Sequence, residues 1–383
     1  MSVTTPKGFL AAGVAAGIKS SGAPDLALVH NLGPKRAAAA VFTSNRVFAA
    51  PVAWSRQAVA DGQVSAVVLN SGGANACTGA GGYADSVATA EAVGAALGVI
   101  AGDVGVCSTG LIGVRLPMDK ILSGVATAAA NLSVEGGPAA ATAIMTTDTV
   151  SKQAEAIRDG WSIGGMAKGA GMLAPGLATM LVVLTTDADL DAASLDSALR
   201  QATRLTFDRA DSDGCMSTND TVFLLASGAS GVSPEQAEFE SALIEVCASL
   251  AAQLIADAEG ASHEIAITVV GAASEEDAVE VGRTIARNNL VKCAIFGNDP
   301  NWGRVLAAIG TTGAAFDADA LDVSFNGVQV CRGGEIGEDR SLVDLTPRRV
   351  EVLVDLNAGE ASATILTNDL TYDYVKENAE YSS

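Results

Sequence analysis

Apolar residues in this chain gather into short runs that alternate with amphipathic segments of small residues. Runs rich in β-branched residues and bounded by polar or glycine turns are typical of buried strands. They predict strands at Ala37–Thr43, Val64–Asn70, Met180–Leu184, Thr221–Leu225, Ile265–Val270, Asp322–Phe325, Val350–Leu356 and Ala363–Leu366, with a shorter strand opening Val104–Gly113.

The segments between these runs carry helical signals. Ser274 precedes three acidic residues, and Ser233-Pro234-Glu235-Gln236 has the order of an N-cap, a first-position proline and a capping box. Helices are predicted at Asp85–Leu97, Met118–Asn131, Asp191–Arg204, Ser233 to about Ala258, and Ser274 to about Arg287. Strands alternating with helices predict an α/β fold, with strands layered between helices.

One stretch joins a flexible approach to a buried strand. Residues Lys168 to Leu181 read KGAGMLAPGLATML, so Thr179 directly precedes the apolar run Met180–Leu184. A strand would hold a hydroxyl nucleophile there rigidly, while the glycine-rich residues before it could move away. The alternative is an ordinary threonine that opens a strand after a loop.

Composition supports a densely packed protein of two or three domain-sized units. The chain has 383 residues, of which 49% are hydrophobic and 17% charged, with 41 glycines. Such a chain can bury a large core, and disorder is not indicated. The six cysteines form no CxxC pair and are expected to be reduced, buried thiols of a cytosolic protein.

The net charge of −21 argues against nucleic acid and anionic membrane surfaces as partners. We also expect no signal peptide and no membrane span. Because the overall field repels anions, a substrate that bears a carboxylate needs a local cation, for which Lys168 is a candidate. The polar tail Lys376–Ser383 would be expected to fray on composition alone.

Histidine is scarce, which narrows the possible chemistry. The chain has two histidines, no HExxH zinc motif, no GxSxG elbow and no Walker A sequence, and no metal site is expected. An N-terminal nucleophile needs no histidine. If the bond between Ala178 and Thr179 is cut, Thr179 gains an α-amine that can take the proton of its own hydroxyl. Ser108-Thr109-Gly110 could supply an oxyanion hole, or could be a plain turn.

Several long motifs occur in an order that resembles one family. They are PKGFLAAGVAAGIK (6–19), NSGGANACTG (70–79), CSTGLIG (107–113), MTTDT (145–149), KGAGMLAPGLATML (168–181), STNDT (217–221), EGASH (259–263), GNDPNWGR (297–304) and NAEYSS (378–383). This pattern is similar, across essentially the whole chain, to the ornithine acetyltransferases. These are the self-cleaving, bifunctional glutamate N-acetyltransferase/amino-acid acetyltransferase enzymes of arginine biosynthesis.

The resemblance implies a role for particular residues. Cleavage after Ala178 would give an N-terminal chain 1–178 and a C-terminal chain 179–383 that carries the nucleophile Thr179, while Thr109 and Gly110 would form the oxyanion hole. The family's substrate contacts fall on Thr146, Lys168, Thr179, Glu259, Asn378 and Ser383. The tail would then be ordered, both chains would share one active site in a layered α/β sandwich, and two of each would form a heterotetramer.

The activity implied is a ping-pong transfer in the cytoplasm. N-acetylornithine would acetylate Thr179 and leave as ornithine, and glutamate would then take the acetyl group as N-acetylglutamate. No cofactor is expected, although acetyl-CoA is a possible acetyl donor. The alternative is an N-terminal-nucleophile amidohydrolase or aminopeptidase of similar architecture, which would pass the acyl group to water. The acidic segment Phe207–Ser217, with Cys215, departs from what the family leads us to expect.

Overall fold

The computed structural model describes residues 2–174 and 180–380. Its strands are β1 (Phe9–Val14), β2 (Leu26–Asn31), β3 (Ala37–Phe42), β4 (Ala66–Asn70), β5 (Val104–Ser108), β6 (Lys152–Arg158), β7 (Trp161–Lys168), β8 (Leu181–Thr186), β9 (Thr221–Ala226), β10 (Glu264–Ala272), β11 (Asp322–Phe325), β12 (Val328–Arg332), β13 (Glu335–Ile336), β14 (Arg349–Asp355) and β15 (Ala361–Asn368). Its helices are α1 (Ala50–Ala58), α2 (Gly79–Leu97), α3 (Met118–Ala130), α4 (Gly137–Ala143), α5 (Ala192–Leu205), α6 (Gln236–Ala256), α7 (Glu275–Ala286), α8 (Asn289–Phe296), α9 (Trp302–Ile309) and α10 (Tyr372–Glu380).

The chain divides into two compact units. The first runs to Asp208 and resumes from Cys215 to Leu254, and the second comprises Arg209–Gly214 and Ile255–Tyr381. These boundaries follow packing and differ from the chains 1–178 and 179–383 expected from cleavage, which remain a prediction.

The first unit is a sandwich of two sheets with helices outside. A four-stranded sheet, in the order β1-β2-β4-β5, faces a five-stranded sheet, in the order β3-β9-β8-β7-β6. The core between them joins residues such as Leu69 and Cys107 to Val183 and Phe223. On the outer side of the four-stranded sheet, α2 and α3 pack through Val93 and other buried residues. This layering confirms the α/β sandwich expected from the sequence.

Helix α6 covers the outer face of the other sheet. A Cβ on Gly165 of β7 would meet the side chains of Leu184, Leu250 and Val246, which shows how closely helix and strand approach. The helix is long and apolar enough to cross a membrane, but half of its most apolar window is buried inside the protein. A core helix passes the same test. Because β8 and β9 are covered on both faces, their residues form continuous apolar runs.

The segment between β7 and β8 contains the predicted cleavage site. The two strands pair antiparallel in a register that runs from Ile163 opposite Thr186 to Lys168 opposite Leu181. Strand β8 then pairs in parallel with β9, so that Leu181 lies opposite Thr221. The chain before residue 175 and the chain after residue 179 therefore contribute strands to one sheet.

The second unit is built on a six-stranded sheet with the order β13-β12-β11-β14-β10-β15. Burial alternates along β14, because helices α7, α8 and α9 contribute to a core on one side only. Ser274 caps α7 as predicted, its side chain accepting from the Asp277 N–H. The helix α6 begins at Gln236, so the capping box predicted at Ser233 was wrong.

The cysteines depart in part from expectation. All six carry free thiols, and Cys107, Cys247 and Cys331 are buried. The thiols of Cys77, Cys215 and Cys293 are exposed, so the prediction of burial was wrong for these three.

Candidate active site

The turn after β5 contains Thr109 and Gly110, the two residues predicted to form the oxyanion hole. Thr109 is buried, its N–H donates to the carbonyl of Asn70 at 3.0 Å, and its own carbonyl accepts from the Gly73 N–H at 3.0 Å. Gly110 has a φ of +130°, and a Cβ there would lie 2.8 Å from the Gly73 nitrogen. Only glycine fits such a position. Its N–H donates to no other residue in the described part of the chain, which leaves it available to an oxygen.

A polar loop fastens this turn to the start of β9. The side-chain amide of Asn219 donates to the carbonyls of Ser108 at 2.8 Å and Ala74 at 2.6 Å. The next residue, Asp220, accepts the N–H of Met180 at 3.2 Å, and the Thr221 N–H donates to the carbonyl of Met180 at 3.1 Å. The turn after β5 and Met180 are thus held by consecutive residues of one loop.

Lys168 and Thr146 meet at a buried carboxylate. The Oδ2 of Asp148 accepts the Thr146 N–H at 2.9 Å and lies 4.0 Å from the Lys168 ammonium. The Oδ1 accepts from the Lys152 ammonium at 2.7 Å and from the Gly169 N–H at 2.6 Å. Lys152 and Lys168 are 0% and 2% exposed. The structure therefore brings together two of the residues that the sequence assigned to substrate binding.

The lysines of this cluster keep the Asp148 carboxyl ionised. Burial by itself would raise the pKa of Asp148, but the Lys168 and Lys152 ammonium groups, with hydrogen bonds from Lys152 and Thr146, lower that pKa to about 2. Lys19 is a third ammonium in the same neighbourhood and donates to the Met145 carbonyl at 2.7 Å. The carboxyl groups that interact with these lysines are those of Asp148, Asp25 and Asp220. Buried ammonium groups are thus gathered at one place in a protein whose net charge is −21.

Two further residues assigned to substrate meet in the second unit. The side-chain amide of Asn378 donates to Glu259 Oε2 at 3.0 Å and to the Tyr374 carbonyl at 3.0 Å. The turn at Gly260 lies against the first residues of α10, since a Cβ on Gly260 would come within 2.1 Å of the Tyr374 nitrogen. The tail is helical as far as Glu380, which for this part agrees with the order that the resemblance implied and not with the fraying that composition alone would suggest.

Three of the predicted site residues, Ala178, Thr179 and Ser383, lie outside the described residues. Conversely, sequence reasoning assigned no role to three residues beside these side chains: Asp148, Lys152 and Asp220. The motifs MTTDT and STNDT were the available signal, because each places an aspartate shortly before the start of a strand.

Neither of the two histidines provides the acid-base group that a histidine-dependent nucleophile would need. Both ring nitrogens of His263 are engaged, Nδ1 with Asp369 at 2.7 Å and Nε2 with the Leu345 carbonyl at 3.0 Å. Burial lowers the pKa of His30, which lies within β2. Across residues 2–174 and 180–380, no group of three or more His, Cys, Asp or Glu side chains could hold a metal.

Comparison with known proteins identifies the family of this chain. The arginine biosynthesis bifunctional protein ArgJ of Streptomyces coelicolor is 67% identical over 383 residues, 100% of either chain. The protein of the same name from Thermobifida fusca is 65% identical over the same length and share. A solved ornithine acetyltransferase from Mycobacterium tuberculosis, complexed with ornithine, is 58% identical with a TM-score of 0.45, and covers 47% of this chain and 96% of its own. A model of the ArgJ family matches residues 10–383, so this chain belongs to the ArgJ family, as its motifs indicated.

Proposed function

We propose that this protein transfers the acetyl group of N-acetylornithine to glutamate through an acetyl ester on Thr179, after cutting its own chain between Ala178 and Thr179. The observation that carries the proposal is the buried cluster around Asp148. It gathers buried ammonium groups, with Lys168 and Thr146 on one carboxylate, inside a strongly acidic protein. Such a site suits the carboxylate of an amino-acid substrate.

Self-cleavage would proceed by an acyl shift. The Thr179 hydroxyl oxygen attacks the carbonyl carbon of Ala178, the bond from that carbon to the Thr179 nitrogen breaks, and the nitrogen takes up the proton that the hydroxyl loses. Water then hydrolyses the resulting ester, which leaves a carboxylate on Ala178 and a free amine and hydroxyl on Thr179. That amine has an ordinary pKa of about 8 and can act as the base.

Acetyl transfer would involve the Thr179 hydroxyl oxygen in both of its steps. The Thr179 hydroxyl, deprotonated by its amine, attacks the acetyl carbonyl of N-acetylornithine, and the ornithine amine leaves with that proton. The Thr109 hydroxyl and Gly110 N–H stabilise the negative oxygen of the tetrahedral intermediate; removal of one such donor costs roughly 2.7–4 kcal/mol. The α-amine of glutamate then attacks the ester, which forms N-acetylglutamate and restores the hydroxyl.

The remaining site residues would select the substrate. Glu259 is suited to the side-chain ammonium of ornithine, and Asn378, which hydrogen-bonds to it, would orient both. Ser383 is the remaining proposed contact. We further propose that two of each cleaved chain form a heterotetramer in the cytoplasm, that no cofactor is needed, and that acetyl-CoA is a candidate second donor.

Product analysis tests the proposal against a hydrolase. With N-acetylornithine and glutamate together, purified protein should form N-acetylglutamate and ornithine in equal amounts. With N-acetylornithine alone, it should release at most one ornithine per active site. Acetate release that continues without glutamate would instead favour the amidohydrolase. A parallel reaction with acetyl-CoA and glutamate determines whether that donor is used.

Replacing Lys168 by methionine should raise KM for N-acetylornithine about 10- to 150-fold, because a charge-assisted hydrogen bond contributes about 1.5–3 kcal/mol. Asp148 keeps its bond to Lys152, so the fold should persist. Steady-state kinetics provide the measurement. The matched control is Lys35→Met, which removes a surface lysine paired with Asp189 and should leave KM unchanged. An unaltered KM in Lys168→Met would remove this lysine from the substrate site.

A further inference from the structure

Glu259 is a partly exposed carboxylate that forms no ion pair within residues 2–174 and 180–380. The group that donates to its Oε2, the side-chain amide of Asn378, is neutral. Under the proposed function this carboxylate receives the side-chain ammonium of the substrate. The position of Glu259 relative to Asn378 therefore decides how well that ammonium is bound.

The turn that carries Glu259 lies directly against the first turn of α10. Gly260 has a φ of +62°, a conformation that favours glycine, and a Cβ there would lie 2.1 Å from the Tyr374 nitrogen. Asn378 stands four residues further along the same helix and donates to the Tyr374 carbonyl at 3.0 Å. Glu259 and Asn378 therefore keep their distance only while this turn stays packed on α10.

One hydroxyl joins the turn to the helix. Thr371 directly precedes α10 and is 5% exposed. Its Oγ1 donates to the Gly260 carbonyl at 2.6 Å and accepts the Tyr374 N–H at 3.0 Å. The second bond is that of a helix N-cap, whose side-chain oxygen accepts an N–H near the start of the helix. A hydroxyl can donate and accept at once, whereas a valine of similar shape can do neither.

Asp369, two residues before Thr371, holds the other end of the turn. Its Oδ1 accepts the N–H groups of Ser262 and His263, each at 2.9 Å, and its Oδ2 lies 2.7 Å from the His263 Nδ1. Asp369 is 1% exposed, so water does not compete for these bonds. The short connection between β15 and α10 thus fixes the turn after Glu259 at both of its ends.

We propose that Thr371, together with Asp369, is a positioning residue that holds Glu259 beside Asn378 and so sets the selectivity of the enzyme for substrates with a side-chain ammonium. The inference rests on the proposed function, in which Glu259 receives that ammonium, and names the residues that keep the carboxylate in place. Because the ammonium is remote from the acetyl group, displacing Glu259 weakens binding of substrate and transition state alike. The effect falls on KM and not on kcat.

The experiment compares N-acetylornithine with N-acetylnorvaline, which has the same carbon chain without the side-chain amine. The ratio of their kcat/KM values is measured on one preparation, so the fraction of active enzyme cancels. One charge-assisted contact predicts a ratio of about 10 to 150 in the unsubstituted protein. Thr371→Val should lower this ratio about fivefold or more, through a higher KM for N-acetylornithine at nearly unchanged kcat. Thr371→Ser keeps the hydroxyl and should keep the ratio within about twofold.

Thr206→Val is the matched control, because Thr206 is also 5% exposed and its hydroxyl also donates to a carbonyl at 2.6 Å, that of Ala202 in the first unit. It should keep the original ratio. The inference fails if Thr371→Val keeps that ratio too, or if Thr371→Ser lowers it equally. If Thr371→Val does not fold, Asp369→Asn takes its place, and an unchanged ratio again overturns the inference. Absence of acetyl transfer in the unsubstituted protein would instead overturn the proposed function, and a ratio near one would overturn its assignment of Glu259.

Discussion

Replacing Thr179 by alanine should leave the protein as a single 38.3 kDa polypeptide and abolish acetyl transfer. The substitution removes the hydroxyl that would attack the Ala178 carbonyl, so neither the acyl shift nor the acetyl ester can form. Removal of a catalytic nucleophile typically lowers kcat on the order of 10⁴- to 10⁶-fold. Denaturing electrophoresis reports the cleavage, and the ornithine released from N-acetylornithine reports the transfer.

The control for this experiment keeps the hydroxyl. Thr179→Ser retains both the nucleophilic oxygen and, after cleavage, the adjacent amine, so it should yield two fragments and measurable transfer. Two fragments from Thr179→Ala, with a new N-terminus at position 179, would refute self-cleavage by this residue. An intact Thr179→Ala chain that still transfers acetyl groups would refute the ester intermediate.

The second large effect concerns stability. Asp148→Asn should lower the free energy of unfolding by about 3–5 kcal/mol, because it takes a carboxylate away from two buried lysines whose charges remain. Urea denaturation followed by circular dichroism gives the measurement. Asp148 and Lys152 stand four residues apart and are both 0% exposed. Their interaction is therefore not weakened by solvent.

A surface pair with the same spacing provides the control. Asp196 and Arg200 also stand four residues apart and form an ion pair, but their side chains are 44% and 64% exposed. Asp196→Asn should change the free energy of unfolding by no more than about 0.5 kcal/mol. Equal losses from the two substitutions would mean that burial of the Asp148 cluster does not matter.

The same cluster predicts the direction of acid sensitivity. The pKa of Asp148 is about 2 in the folded protein, below the ordinary value of about 3.9 for an unfolded chain. A lowered pKa contributes stability above the unfolded value and loses it as the pH falls through the folded one. The contribution of Asp148 should therefore be complete above about pH 4 and disappear toward pH 2, and Asp148→Asn should not show this dependence.

The parts of the fold that local sequence determines were predictable. Strands β8 and β9 are continuous apolar runs, and α7 carries its own cap at Ser274, so neither required knowledge of distant contacts. Strand β7 was missed because Gly164 and Gly165 weaken its strand signal. The structure explains one of them, since a Cβ on Gly164 would lie 2.1 Å from the carbonyl oxygen of Ser2. The sequence does not reveal that the N-terminal segment packs there.

The residues of the candidate site likewise divide into those that the sequence could predict and those that it could not. Motifs were sufficient to select Lys168 and Thr109, because residue type and neighbours suggested their chemistry. The importance of Asp148 could not be predicted from the sequence. It depends on the proximity of Lys168, the last residue of β7, and on the burial of both side chains. Asp220 depends in the same way on Met180, 40 residues earlier in the chain.

The pairing of β7 with β8 has a consequence for how the mature protein refolds. Under the proposed cleavage, the two fragments stay joined through the ladder from Ile163 to Lys168, and the native sheet is undisturbed. Once denatured, however, they separate into independent molecules. Refolding then becomes a second-order reaction whose rate depends on protein concentration, whereas the newly made chain folds in a first-order reaction. Folding would therefore be easiest for the newly made chain, before cleavage has taken place.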